Sequence, residues 1–383
     1  MPSSSPVTIR KSSAKQSARG GGLLLVRIEH GMTAVIAGLM PVSYCLVILA
    51  TAGLALWHAH LTVRVINFGH SFGFRDGLRV LAVIGEAVVT VLLVRQLLTP
   101  HTSKAVRMEL LQGDQPELFD IIRLVSEKVC APMPARVVVD STAAMGADYD
   151  GTLDALRGRG LKLNIGLCLV VGVSAGEFAG LLAHELAFFS SGSGSRSARF
   201  ILGVHRWFVL RIRHDPWMDW LRERYPLAGR LKRCGLRFSW GCIWLSLRPL
   251  RLLFALCRMA TAGMLRGMVS RADGCAARLA GSEIMTRALD RQGLLTALYE
   301  RARSSYLTGE ASLRLPDNLP LLLSRRLMID QVEEAELPVS SHWLEMAPPD
   351  VKRRQHILKL NAEAMVNVTG DATSLFRNFH ELA

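Results

Sequence analysis

The sequence predicts a mainly helical domain with a small antiparallel β-sheet, preceded by two transmembrane helices. Two long apolar stretches near the N-terminus predict the membrane helices, and short strand patterns between amphipathic helices predict the domain. The 383-residue chain is half hydrophobic and carries a formal net charge of +14. Much of that charge flanks apolar segments and no nucleic-acid motif accompanies it. The lipid bilayer is therefore the predicted partner, and nucleic acid is not.

Three regions follow along the chain. Residues 1–30 are predicted to be a disordered basic tail, because residues 1–22 are rich in Ser, Gly, Lys and Arg and hold little apolar surface. A transmembrane hairpin is assigned to residues 31–104. The remaining residues, 105–383, form the predicted domain.

Each arm of the hairpin is long enough to cross a bilayer. Residues 33–57 contain no charged side chain, and as a helix they exceed the roughly 30 Å hydrocarbon core. The second span covers residues 77–99 and carries Glu86 near its middle. A carboxyl group is costly in lipid, so Glu86 should face protein. It indicates either a site near the membrane or, as we favour, a polar contact between the two helices.

The basic residues predict the orientation. The tail and the segment after the second span are rich in Lys and Arg, whereas the connection between the spans holds only Arg64 and Arg75, with Asp76 beside them. The positive-inside rule then places the N-terminus and the main domain in the cytoplasm of a multi-pass membrane protein. Seven cysteines, spread singly without metal or redox spacing, fit reduced thiols on that side.

The first half of the domain predicts a helix and a pair of strands. Asp114 and Glu117 form a candidate capping box at the start of an amphipathic helix. Residues 136–140 and 161–171 have the apolar patterns of strands. The Gly-rich residues 146–160 between them are predicted to be a hairpin or loop.

Two further helices follow. Ser174 and Glu177 form a second capping box, which opens a helix over residues 175–189. A long apolar and basic helix begins near Pro249 and stops at Gly281. Its stretch 249–268 either lies in the membrane interface or, as we favour, is buried with one solvated stripe of arginines, namely Arg248, Arg251, Arg258 and Arg266.

The helix after Ser174 carries His184 and Glu185. This pair resembles the first half of the zinc-peptidase motif His-Glu-x-x-His, in which two histidines one turn apart bind one metal and the glutamate takes a proton from the metal-bound water. The position of the second histidine is Phe188 in this chain.

Three stretches extend the resemblance: 177–189; 271–281, with its Ala272-Asp273 pair; and, more weakly, the Pro-rich start of a basic helix at 348–358. Together with the two spans they are similar to the membrane zinc metallopeptidases that include HtpX and the CAAX prenyl proteases, metallopeptidase family M forty-eight. The resemblance implies a zincin-like domain with metalloendopeptidase ancestry.

The resemblance also implies roles for single residues. His184 would be a metal ligand, Glu185 the general base and Asp273 a supporting acid. The third ligand of active members, a glutamate four residues before that aspartate, is Val269 here, and Phe188 replaces the second. One ligand of three remains, so His184 and Glu185 are predicted to be vestigial. Phe188 and Val269 should fill the former metal pocket by packing together.

We therefore predict a non-catalytic homologue that needs no cofactor and binds polypeptides or membrane proteins. An edge strand over residues 161–167 would pair with an extended peptide. One alternative is an active zinc metalloendopeptidase whose metal site has changed, with His205, His214 or Asp215 as new ligands. The other is a membrane scaffold without peptide binding.

Overall fold

The computed structural model describes residues 13–67, 73–98, 108–149, 160–190, 195–213, 230–307, 320 and 350–382. The helices are α1 (Ser13–Asn67), α2 (Phe74–Leu98), α3 (Pro116–Val129), α4 (Leu167–Val170), α5 (Ala175–Ala187), α6 (Ser195–Arg213), α7 (Arg230–Ala280), α8 (Ser282–Leu307), α9 (Asp350–Leu360) and α10 (Phe379–Leu382). The strands are β1 (Met108–Leu110), β2 (Arg136–Asp140), β3 (Met145–Tyr149) and β4 (Leu161–Gly166). The protein is thus mainly helical, as predicted.

The N-terminal hairpin is formed by α1 and α2, both of which are long and apolar enough to cross a membrane. Their outer surfaces expose large aliphatic side chains, as lipid-facing helices do. Helix α1 begins at Ser13, inside the predicted tail, and continues without a break through the first span. The earlier residues 1–12 lie outside the described part of the chain.

Glu86 of α2 makes the polar helix–helix contact that we favoured. Its two carboxylate oxygens lie 2.7 and 2.9 Å from Nδ1 of His58 on α1. The pair satisfies a group that would otherwise be costly in an apolar span.

A third helix is also long and apolar enough to span a membrane, namely residues Gly235–Ala280 of α7. One side of α7 is buried against α1, α2 and α6, while Leu252, Leu256 and Met259 are exposed on the other. The segment 249–268 is therefore buried on one side only. Its exposed surface is apolar as well as basic, unlike the single solvated stripe of arginines that we favoured. The prediction of two spans is corrected to three candidates.

A buried polar network joins the four helices of this bundle. The Tyr44 hydroxyl of α1 donates to Gln96 Oε1 of α2 at 2.8 Å, and Gln96 Nε2 donates to Ser246 Oγ of α7 at 3.2 Å. Arg211 of α6 donates from Nε to the Gln96 carbonyl at 2.9 Å. These bonds fix the axial positions of the helices within an otherwise apolar core.

The sheet is mixed and not antiparallel as predicted. Its strand order is β1-β2-β4-β3, with β2 and β4 parallel and the other two pairs antiparallel. The segment 161–167 is therefore not an edge strand, because β4 lies between β2 and β3. The edges are β1 and β3. A short connection joins β2 to β3, but β3 pairs with β4 and not with β2. Strand β4 therefore lies beside β2, inside the sheet.

Two local predictions around the sheet also change. The strand predicted over 161–171 ends at Gly166, where a Cβ would lie 2.2 Å from the carbonyl oxygen of Thr142, and α4 follows. The predicted Gly-rich connection, 146–160, begins inside β3. The rest of it, residues 150–159, lies outside the described residues.

The two predicted capping boxes have different outcomes. Ser174 and Glu177 form theirs at the start of α5: the Glu177 backbone N–H donates to Ser174 Oγ at 3.3 Å and the Ser174 N–H to Glu177 Oε2 at 2.8 Å. The Asp114 box is wrong, because α3 begins one residue later, with Gln115 as N-cap and Pro116 in its first turn.

Helix α5 lies at the centre of the domain, packed against α3, α7, α8 and β3. It approaches α7 closely where a Cβ on Gly180 would lie 3.1 Å from the Ala280 Cβ. Small residues at this crossing let the two helix backbones come together. Further along α5, the side chain of His184 consequently faces α7.

Candidate functional site

His184 of α5 and Asp273 of α7 meet at the interface of these two helices. His184 Nδ1 lies 3.0 Å from Asp273 Oδ1, although the angle departs from that of an ideal hydrogen bond. Both side chains are buried, Asp273 almost completely. The structure therefore brings together two of the site residues that the sequence singled out.

A third residue, Arg353 of α9, completes the cluster. Its Nε and Nη2 donate to Asp273 Oδ2 and Oδ1 at 3.1 and 2.8 Å, and Nη2 also lies 3.4 Å from His184 Nε2. The sequence resemblance includes the basic helix 348–358 but does not single out this residue. Arg271, two residues before Asp273, is exposed and donates to the carbonyl of Gly267.

The charges of the cluster determine the state of Asp273. Burial alone would raise the pKa of its carboxyl, but hydrogen bonds and charge from His184 and Arg353 outweigh burial and hold the pKa below its usual value. Asp273 is thus an ionised, bidentate partner of a guanidinium. The arrangement fits a His184 tautomer with its proton on Nδ1, facing Asp273, and its lone pair on Nε2, facing Arg353.

Glu185 interacts both with this cluster and with the sheet, because the Ala147 backbone of β3, His184 and Arg353 all stabilise its charged form. Burial raises the pKa of Glu185, and the nearby His184, the Ala147 bond and Arg353 oppose that rise without cancelling it.

The two replaced ligand positions are apolar and lie near His184. The Phe188 ring meets the His184 ring edge to face, with centroids 5.2 Å apart and planes at 89°. Phe188 packs both on the core of the domain and on the core of the membrane bundle. Val269 is buried one turn before Asp273 on α7. Their direct packing against each other stays a prediction.

The residues around His184 do not fit a catalytic zinc ion. Such an ion normally takes three protein donors. Here the imidazole meets a carboxylate already committed to Arg353, a guanidinium and a phenyl ring. Among the described residues, no group of three or more His, Cys, Asp or Glu side chains is placed to hold a metal.

His205 is the candidate replacement ligand that lies in the described part of the chain, and it does not reach this cluster. His205 is buried between α6 and α7, with Nε2 2.8 Å from Thr261 Oγ1 and 3.7 Å from Cys257 Sγ. Its ring also packs on Phe254. His205 therefore belongs to the bundle core. His214 and Asp215 lie outside the described residues.

Fold and site together define a helical membrane protein whose domain centres on a buried His–Asp–Arg cluster. Comparison of the chain with protein-family models, with curated proteins and with solved structures finds no match.

Proposed function

We propose that this chain is a membrane-anchored, non-catalytic homologue of the HtpX and CAAX prenyl protease family, with a zincin-like domain that binds polypeptides. The observation that carries the proposal is the set of groups around His184. A guanidinium approaches Nε2, the nitrogen free to coordinate a metal, to 3.4 Å, and Phe188 lies beside the ring. A cation at this distance repels a divalent ion and competes for the same lone pair.

The cluster has a structural role in this account. Asp273 on α7 receives two bonds from α9 and contacts His184 on α5, so it connects three helices that are distant in sequence. In active metallopeptidases the metal performs part of this cross-linking. Here the buried ion pair would replace it.

Polypeptide binding is proposed at β3, the edge strand next to α5. The Gly166 N–H donates to the Ala144 carbonyl at 2.9 Å, so residues 144 and 166 form a hydrogen-bonded pair. Because such pairs alternate along an antiparallel ladder, the backbone groups of Ala147 point to the open edge. The Ala147 N–H also faces Glu185, which an added strand would have to displace from this edge. An extended peptide would add as a fifth strand here.

Orientation is part of the proposal. Phe238 of α7 lies against Gly85 of α2, and Ser246 lies against Gln96, so α7 runs in the same direction as α2. Both helices then lead toward the domain. With the basic segments that flank α1 and α2 inside, the domain and the N-terminus face the cytoplasm. The basic start of α7, residues 230–237, then lies at the opposite end of its span.

Replacing Ala147 by Pro should weaken polypeptide binding at least about tenfold. Proline removes the N–H at the open edge but no bond to β4, so the sheet should persist. Binding of fluorescently labelled, reduced and carboxymethylated α-lactalbumin, a permanently unfolded polypeptide, is measured with the full chain in detergent.

Ala147→Val is the matched control, because it adds bulk and keeps the N–H. The β3 proposal fails if Ala147→Pro and Ala147→Val bind the polypeptide equally while both variants unfold at the wild-type temperature.

Replacing Glu185 by Gln should leave polypeptide binding unchanged within about twofold and should raise the unfolding temperature near neutral pH. A carboxyl with a raised folded-state pKa is most favourable to folding below its unfolded pKa, and it loses that advantage as pH rises through the folded value. An uncharged Gln avoids that loss. Differential scanning fluorimetry from pH 4 to 8 measures the unfolding temperatures of the wild type and the variant.

The same variant separates the proposal from the active-enzyme alternative. An endopeptidase with an altered metal site would cleave the labelled polypeptide, and Glu185→Gln would abolish that cleavage. Wild-type cleavage lost in Glu185→Gln would therefore favour the enzyme.

A further inference from the structure

A small open pocket of about 250 Å³ lies between α7 and α9, on the outer side of the His184 cluster. Its lining is dominated by cationic and hydrogen-bonding side chains, namely Arg266, Ser270, Asp273, Lys352, Arg353 and His356. Neither the metallopeptidase resemblance nor the β3 edge accounts for this composition.

The pocket has an excess of positive charge. Its single carboxylate, Asp273, is taken up by the bidentate contact with Arg353. Arg266 and Lys352 remain, and no carboxylate in the described part of the chain forms an ion pair with either. The lining therefore carries two positive charges beyond those that are neutralised, before any charge on His356 is considered.

The start of α9 adds to the positive potential of the pocket. Asp350 opens the helix, and Lys352, Arg353 and Arg354 follow it, at the end where the backbone dipole favours anions. Arg353 has Asp273 as a partner, and Arg354 Nε lies 3.1 Å from Asp290 Oδ1. Lys352 faces the pocket instead, where a bound anion would relieve the repulsion.

Ser270 and His356 add directional hydrogen bonding. Ser270 Oγ of α7 lies 2.9 Å from His356 Nε2 of α9. When the imidazole donates to Oγ, the serine hydroxyl proton is free to point into the pocket. Cationic side chains from two helices and a hydroxyl donor thus converge on one small volume.

We propose that this pocket binds the phosphate group of a phosphate monoester. The two surplus charges match the charge of about −1.5 to −2 on a monoester at neutral pH. Its volume is below the roughly 300 Å³ at which drug-sized sites begin, so it suits a small headgroup. The inference stands independently of the proposed polypeptide binding, because it uses neither β3 nor any property of a metal.

The phosphate can come from a soluble metabolite-sized monoester or from the headgroup of a lipid such as phosphatidic acid. Both present the same dianion. Arg266 lies on α7, whose candidate span covers Gly235–Ala280, so a lipid headgroup is as compatible with the position as a free monoester.

The test uses the full-length protein. Isothermal titration in detergent with glycerol 3-phosphate and with inorganic phosphate measures soluble ligands. For the lipid source, protein in dilute detergent is mixed with preformed phosphatidylcholine vesicles, with and without phosphatidic acid. The fraction of protein that floats with each kind of vesicle is measured. The variant is Arg266→Gln/Lys352→Gln. The control, Arg271→Gln/Arg278→Gln, removes the same charge from exposed α7 positions outside the pocket.

The proposal predicts binding to the wild type and the control, and a loss of at least about tenfold in the Arg266/Lys352 variant, since charge-assisted bonds are the strong ones. Binding of glycerol 3-phosphate supports a soluble ligand, and binding of phosphatidic acid alone supports a lipid. The proposal is overturned if none of the probes binds, or if the two double variants lose affinity equally while both unfold at the wild-type temperature.

Discussion

Replacing Arg353 by Ala should destabilise the domain by about 3–5 kcal/mol, the cost of leaving one member of a buried ion pair without its partner. Asp273 has a side chain only 1% exposed, and that of Arg353 is 11% exposed. Without the guanidinium, this carboxylate loses both of its charge-assisted hydrogen bonds. His184 remains nearby, but its single contact does not replace the two bonds of Arg353.

A double-mutant cycle over Arg353→Ala, Asp273→Asn and their combination measures this effect by chemical unfolding in detergent. Arg353→Ala/Asp273→Asn should be more stable than Arg353→Ala, because it removes both charges. The pH dependence gives a second readout. A carboxyl with a lowered folded-state pKa stabilises the protein above its unfolded pKa of about 3.9, and that stability is lost as pH falls through the folded value. Arg353→Ala should flatten this acid loss. Independent, additive effects of the two substitutions would contradict the ion-pair account.

Restoring the two replaced ligands, Phe188→His with Val269→Glu, should create a zinc site that the natural chain lacks. Phe188 follows His184 by four residues with helical backbone angles, so a histidine there would share its face. Val269 precedes Asp273 by four residues on α7. Two imidazoles and one carboxylate form a catalytic-type donor set. Arg353 would keep both bonds to Asp273 and give up only its approach to His184.

The stability of the double variant against unfolding, measured with and without zinc, tests whether the zinc site forms. Without metal the double variant should unfold at a lower temperature than the wild type, because polar groups replace Phe188 and Val269 in apolar surroundings. Zinc at 100 times its dissociation constant should restore about 2.7 kcal/mol. Phe188→Leu/Val269→Gln is the control and should not respond to zinc. Equal responses in all three proteins would contradict the account.

Local signals predicted α5 well. The Ser174–Glu177 capping box acts between residues three apart, and both of its bonds form. The strand order could not be predicted in the same way, because alternation along β4 specifies which face is buried but not which strand lies on either side. The edge strand was therefore placed on β4, where the structure has β3.

The site was only half visible in the sequence for a related reason. His184 and Asp273 stand in motif-like surroundings, whereas Arg353 joins them from 169 and 80 residues away. No local pattern distinguishes it from its neighbours Lys352 and Arg354. Only the packing of α9 on α7 shows which of the three cations is buried.

The third candidate span was not predicted because arginines interrupt the apolar sequence of α7. In the structure, Arg248 lies over the Trp244 ring at 3.8 Å from its centroid, which keeps the cation along the helix surface. Long basic side chains of this kind can reach polar surroundings while their stems stay in apolar ones. Single-residue hydropathies count each arginine as polar and do not include this effect.

The central claim is that a lone imidazole bounded by Phe188 and Arg353 does not hold zinc. Zinc per chain, measured by mass spectrometry on protein purified without chelators or added metal, tests it most directly beside a His184→Ala control. The account predicts far less than one zinc per chain, unchanged in the control. Close to one zinc per chain in the natural protein, lost in His184→Ala, would contradict it.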